Sequence, residues 1–409
     1  MSGLTAAYLL HWDHDVTLFE AEDRLGGHAH THDVAAGDRA FAVDSGFIVH
    51  NERTYPYLLR LFRELGVATQ PTEMSMSVTC GQCGLEYAGS RGLNGLFARG
   101  ANAANPRYLN LLRQVPAFYR RARALLDHPE PDGGEITLGD FLAAGRYSPY
   151  FVRHFVVPLV SAVWSCGPHL VPAYPARYLF TFLANHGALS IKGASSWRTV
   201  VGGSRSYVDL VAKRLQTVRA MAPVRSVHRH AGRVDVRDDA DTVDSFDSVV
   251  VATHADQALR LLADPTRDER AVLGAFEYSE NDTVLHTDPA VLPRHRAAVS
   301  SWNYQLPGCA PSTGPVRVSY HMNTLQRLDS EADFVVTLGQ SEDVDPQRVL
   351  ARMTYTHPIY TPQSLAAQHR LPEISTGRVA YAGAYHGWGF HEDGCRSGVR
   401  AAEQLGVSW

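Results

Sequence analysis

Apolar positions along this chain fall into runs of two different periods. The opening residues Ser2-Gly3-Leu4-Thr5-Ala6-Ala7-Tyr8-Leu9-Leu10 are small and apolar and predict a helix. Val16-Thr17-Leu18-Phe19 follows as a short β-prone run that ends in the carboxylate Glu20. Over residues 57–65, Leu58, Leu61, Phe62 and Leu65 keep the spacing of one helical face. Residues 141–164 are also helix-like, with an interruption at Pro158. Residues 223–227 and 234–236 read as strands flanking a turn at Gly232. Residues 248–253 form a nearly continuous apolar run, as expected of a strand covered on both faces. Val316, Val318, Tyr320 and Met322 alternate like a strand. Near the end, residues 377–384 predict a strand that runs into a glycine turn. A glycine-dense loop follows, and Ser397-Gly398 opens a last helix over 399–405. Strands and helices in this alternation predict the α/β class.

Composition narrows the picture. A chain of 409 residues, 45% hydrophobic and 20% charged, is long enough for two domains with a sizeable core. The formal charge of −4 and the lack of any Lys/Arg block speak against a nucleic-acid partner. No uninterrupted apolar run reaches about 18 residues, so no integral membrane segment is expected. The first residues lack the basic region of a signal peptide. Cys80, Cys83, Cys166, Cys309 and Cys395 are odd in number and scattered, which argues for a reducing, cytoplasmic setting without a disulfide framework. Lys192 and Lys213 are the only lysines.

The two ends of the chain carry the chemistry. Helix, strand and terminal acid are the order of a nucleotide-binding βαβ unit, where the acid accepts hydrogen bonds from a ribose diol. Glu20 follows Gly3 by 17 positions, near the spacing of about 20 expected for that acid. Gly3 fits the third glycine of G-x-G-x-x-G. The preceding strand and the first two glycines are expected upstream of Met1, although the same residues also suit an ordinary N-terminal helix. Arg24 and the pair Gly26-Gly27 then offer a guanidinium for phosphate and a backbone that a ligand can approach closely. At the other end, Gly383, the loop through Gly389, Phe390, His391, Glu392, Asp393 and Gly394, and Ser397 before the last helix form an anion-accommodating corner.

Glu20-x-x-x-Arg24-x-Gly26-Gly27, Asp44-Ser45-Gly46-Phe47 and the closing GAYHGWGFHEDGCRSG resemble the flavin-containing amine oxidase superfamily. They are most similar to a bacterial branch described as predicted NAD/FAD-binding, amine-oxidase-domain proteins. Phe47-Ile48-Val49-His50-Asn51-Glu52-Arg53-Thr54-Tyr55-Pro56, Trp197-Arg198-Thr199-Val200-Val201-Gly202-Gly203-Ser204 and Ala252-Thr253-His254-Ala255-Asp256-Gln257 match the same branch, so the resemblance spans nearly the whole chain. It implies a doubly wound, Rossmann-like FAD-binding domain, its first strand missing here, with an inserted α+β substrate domain. The expected FAD part is residues 1–50, 195–268 and 374–409; the substrate part is 51–194 and 269–373. Asp44 and Gly46 are expected to run along the cofactor, Val224 to meet adenine through its backbone, and Thr253 to lie near the flavin. The C-terminal corner is expected to reach the second phosphate and the flavin's pyrimidine edge.

The resemblance implies hydride transfer from substrate to flavin N5. Where many relatives carry a lysine near N5, the matching stretch here reads Asp282-Thr283-Val284-Leu285-His286-Thr287, leaving His286 as the nearest titratable candidate for catalysis. The missing lysine favours an oxidase or desaturase acting on an apolar, lipid-like small molecule. Trp302, Tyr304, Tyr320, Tyr385 and Trp388 are candidate pocket aromatics. A true amine oxidase and a degenerate, non-catalytic flavoprotein with a binding role remain the alternatives. Cys80-Gly81-Gln82-Cys83-Gly84 is half of a zinc ribbon or a redox pair; with no second C-x-x-C or nearby histidine pair it reads as a hairpin turn. His28, His30 and His32 alternate onto one side of a strand, and no metal is expected there either.

Overall fold

A computed structural model describes residues 1–128, 136–189 and 196–409. The N-terminal helix Ser2–Leu10 buries every residue except Gly3. It lacks a polar face because neighbours cover it all round. Its closest neighbour is the C-terminal helix His391–Gln404. Small residues permit this approach: a Cβ on Gly398 would stand 2.4 Å from the Ser2 carbonyl oxygen, and one on Gly394 would stand 3.2 Å from Ser2 Oγ. The first and last helices therefore share one core, with Leu4, Leu9, Cys395 and Val399 among its members.

Two parallel strand pairs accompany these helices. Thr17–Phe19 pairs with Thr217–Arg219, and Val249–Val251 pairs with Val379–Tyr381, as separate two-stranded sheets. A Cβ on Gly3 would meet Ala252 Cβ at 3.1 Å, so the first helix packs closely beside the end of the strand Val249–Val251. Val224–Arg229, Val234–Asp238 and Val243–Phe246 form an antiparallel meander. The helix Pro56–Leu65 has the anticipated apolar stripe, but it packs in the core of the two terminal helices rather than in the substrate part. Its entry strand Val49–Asn51 and exit strand Thr69–Thr72 both pair with Trp197–Val200. An amphipathic stripe states that a helix buries one side, not which core receives it. The division expected at 194 and 195 lies outside the described residues.

A seven-stranded sheet carries the other half of the molecule. Its order is Val349–Ile359, Glu277–His286, Val335–Leu338, Val318–His321, Trp302–Leu306, Met76–Cys80 and Glu86–Ala88. All pairings are antiparallel except Trp302–Leu306 with Met76–Cys80. Helices Pro106–Asp127, Leu138–Ala144, Val157–Trp164 and Ala176–Asn185 join it in one large apolar core, with Phe118, Phe141, Phe151 and Phe180 at its helical end. Pro158 does interrupt the helical segment. Proline has no N–H to donate and crowds the carbonyl one turn back. The turn before it widens into a π-helix over Val152–Val156, where the Val157 amide donates to the Val152 carbonyl.

Candidate active site

Between the two halves lies a cavity of about 2600 Å³, several times the roughly 300–1000 Å³ of a drug-sized pocket. Residues from both chain ends line it. From the front come Gly3, Glu20, Arg24, Gly26, Gly27 and Gly46; from the back come Gly383, Gly389, Phe390, His391 and Gly394; Val224 and Thr253 complete this wall. The stretch near Gly26 and the stretch near Gly394 thus meet around one space. Gly26 and Gly27 both have positive φ, 111° and 58°, which keeps this loop open to glycine rather than to other residues. Arg24 braces the loop, donating to the Gly27 carbonyl at 2.7 Å and pairing with Glu22 at 2.8 Å. Opposite, His391 stacks on Phe47 at 3.7 Å, and Asp393 accepts from the Phe390 amide at 3.0 Å to cap the helix whose N-terminus borders the cavity.

The family model described as flavin containing amine oxidoreductase matches residues 1–288. The chain belongs to the flavin-containing amine oxidoreductase family. FAD is that family's cofactor. A curated relative from Mycobacterium tuberculosis (strain CDC 1551 / Oshkosh), named "Putative flavin-containing monoamine oxidase AofH", is 29% identical over 257 residues, covering 58% of this chain and 52% of the relative. The chain therefore spans about half the length of the curated relatives it matches. Cyclohexylamine oxidase from Brevibacterium oxydans IH-35A superposes with a TM-score of 0.70 at 15% identity, covering 99% of this chain and 96% of that one. A CLA-producing fatty acid isomerase from P. acnes gives the same four values. At such identity the two structures show a shared fold.

The cavity of this family member has polar atoms that await a partner. His28 Nε2, Trp388 Nε1 and Tyr385 Oη belong to lining residues, are buried, and have no hydrogen-bond partner among the described residues. Buried polar groups are normally paired, so atoms of this kind fit a polar ligand such as FAD. His28, His254 and His357 form a cluster on the same wall, with ring centroids 6.2 Å (His28–His254) and 5.3 Å (His28–His357) apart. Burial lowers the basicity of all three, with His357 down to about 4, so the cluster is neutral at pH 7. Tyr355 Oη ties it to the glycine loop through Ser45 Oγ at 2.7 Å and His30 Nδ1 at 2.9 Å. His28 and His30 precede the strand Thr31–Ala36 rather than sharing one of its faces with His32; His30 packs on His32 with ring centroids 4.0 Å apart, and His32 turns to Ser45 Oγ at 2.9 Å.

Four expected cofactor contacts do not line the cavity. Asp44 is buried among Thr31 Oγ1 at 2.5 Å, the Ser204 amide at 2.9 Å and Ser204 Oγ at 2.8 Å, joining three segments of the fold. Glu392 accepts from the Tyr57 and Leu58 amides, both at 3.0 Å, and so caps the helix Pro56–Leu65. Asp393 holds its own helix start and Arg396, at 2.7 Å. Ser397 Oγ accepts from the Gly383 amide at 2.9 Å. Each supports a cavity wall from behind. His286, the expected catalytic candidate, does not line the cavity either. It is fully buried in the seven-stranded sheet, with Nε2 against Thr337 Oγ1 at 2.8 Å and Nδ1 accepting from the Asp288 amide at 3.0 Å. The strand that instead faces the cavity is Val349–Ile359, through Tyr355, Thr356 and His357. Sequence reading missed these residues because no motif marks them. Of the candidate aromatics, Trp302, Tyr320, Tyr385 and Trp388 line the cavity and Tyr304 does not.

Proposed function

We propose that this chain is an FAD-dependent oxidoreductase that removes a hydride from an apolar organic substrate. The observation that carries this reading is the composition of the cavity along its length. The end near Glu20, Arg24 and Gly26 is polar and backbone-rich, whereas the arm reaching into the helical half is walled by Met76, Val78, Leu111, Tyr119, Leu159 and Trp164. No lysine lines the cavity among the described residues. Such an arm takes an acyl or isoprenoid chain at little desolvation cost and offers an ammonium group no carboxylate partner.

Glu20 would hold the ribose, the Gly26-Gly27 loop and the N-terminus of the helix His391–Gln404 the two phosphates, and the Val224 backbone the adenine. The flavin, once bound, supplies the hydride acceptor. This chain's residues do the rest. The apolar arm orients the substrate and excludes water, and His28 Nε2 is an unpartnered, neutral imidazole nitrogen on the cavity wall. Anaerobic bleaching of the flavin spectrum by unsaturated fatty acids or isoprenoids, with no response to primary amines, supports the proposal. The curated relative's name favours amine oxidation as a second reading; bleaching by amines alone would establish it in place of the first. A chain that binds no FAD would leave only the non-catalytic alternative.

A further inference from the structure

The Cys80-x-x-Cys83 hairpin is one half of a four-residue cluster whose other half comes from distant parts of the fold. It closes through the Gly84 amide on the Cys80 carbonyl at 2.9 Å, and Gly84 has φ 67°. Cys309, just beyond the strand Trp302–Leu306, and His154, in the π-helix made by Pro158, converge on it. The ligand atoms of Cys80, Cys83, His154 and Cys309 all lie within 4.8 Å of one another. We propose that these four residues form a structural zinc site.

The distances match that ion. Zinc bonds of about 2.3 Å to sulfur and about 2.0 Å to nitrogen, set tetrahedrally, separate two sulfurs by about 3.8 Å and sulfur from nitrogen by about 3.6 Å. The Cys80 and Cys309 sulfurs are 3.7 Å apart, and His154 Nε2 lies 3.8 Å from Cys83 Sγ and 3.7 Å from Cys309 Sγ. Three sulfurs and one imidazole are a ligand set that selects zinc over harder cations.

Surrounding contacts orient the ligands independently of any ion. His154 Nδ1 lies 3.0 Å from the Tyr150 carbonyl, which accepts its proton and leaves Nε2 free to ligate. The Cys309 amide donates to Gln82 Oε1 at 2.9 Å, and its carbonyl accepts from Arg153 at 2.7 Å. Four protein ligands leave no open coordination position, so the site staples rather than catalyses. It joins the ends of two neighbouring strands of the large sheet, Met76–Cys80 and Trp302–Leu306, to the helical cap, and both Val78 and Phe155, neighbours of its ligands, line the cavity.

The test is elemental analysis of the purified full chain, with cobalt substitution as a second measurement. The proposal expects about one zinc per chain, falling below roughly a fifth of that in Cys309→Ser and His154→Ala, with Cys166→Ala unchanged. The cobalt form should show thiolate-to-metal charge transfer and the intense visible bands of a tetrahedral site. Wild-type protein produced in zinc-supplemented medium that carries no stoichiometric metal overturns the proposal. So does a Cys80–Cys309 disulfide in it. Because both outcomes are read on wild type, the test survives variants that fail to fold.

Discussion

At the scale of single residues, the buried acids behind the cavity show how a motif position acts without touching a ligand. Glu392 belongs to the glycine-rich C-terminal motif, yet its carboxylate serves two amides of another helix, at 3.0 Å each. Burial raises its pKa to about 7 from the usual 4.5, with the two amide bonds opposing. A raised carboxyl pKa means that the folded protein prefers the protonated form. The stability it contributes is complete below about 4.5 and is lost as pH rises through about 7. Glu392→Gln keeps an acceptor and removes the charge. Its unfolding free energy relative to wild type should therefore improve as pH rises from 4.5 to 7; a pH-independent difference by urea denaturation would contradict this. Glu392→Ala leaves two orphaned amides and should cost roughly 1–3 kcal/mol at any pH. Sequence showed that this acid mattered but not what it touched, because its partners lie more than three hundred positions away.

At the scale of elements, the pairing of the first and last helices fixes the cavity's shape. Gly398 permits it, since any Cβ there intrudes on the Ser2 carbonyl oxygen at 2.4 Å. Gly398→Val should separate the helices, lower the melting temperature by about 1–2 °C for each kcal/mol lost, and reduce FAD retention. Unchanged retention would show that the helices are not a unit. Local elements were legible in the sequence: the stripe of Leu58, Leu61, Phe62 and Leu65, the strand Val249–Val251 and the break at Pro158 all follow from short-range pattern. What escaped was long-range assignment. The stripe faces the terminal helices, His286 points into the sheet, and His154 and Cys309 reach the Cys80 hairpin only because strand order brings residue 309 beside residue 80. Period and propensity constrain neighbours along the chain, whereas strand order is decided by tertiary packing.

At the scale of the molecule, two halves enclose one cavity whose polar end is built from both chain termini and whose far arm is apolar. The neutral cluster His28, His254 and His357 lines that cavity. Burial depresses these histidines, so their contribution to stability is present above their ordinary 6.5 and is lost as pH falls toward about 4, the value for His357. FAD retention should accordingly be complete at pH 7.5 and decline through pH 5, and His357→Gln should retain more than wild type at the acid end. Equal loss from both proteins would remove the histidines from the account. The most direct test of the central claim is calorimetric titration of FAD into the apoprotein. The structure predicts about one FAD per chain, weakened roughly tenfold or more by Glu20→Ala at one end of the chain and by His391→Ala at the other. An apoprotein that takes up no FAD, or whose affinity ignores either end, would contradict it.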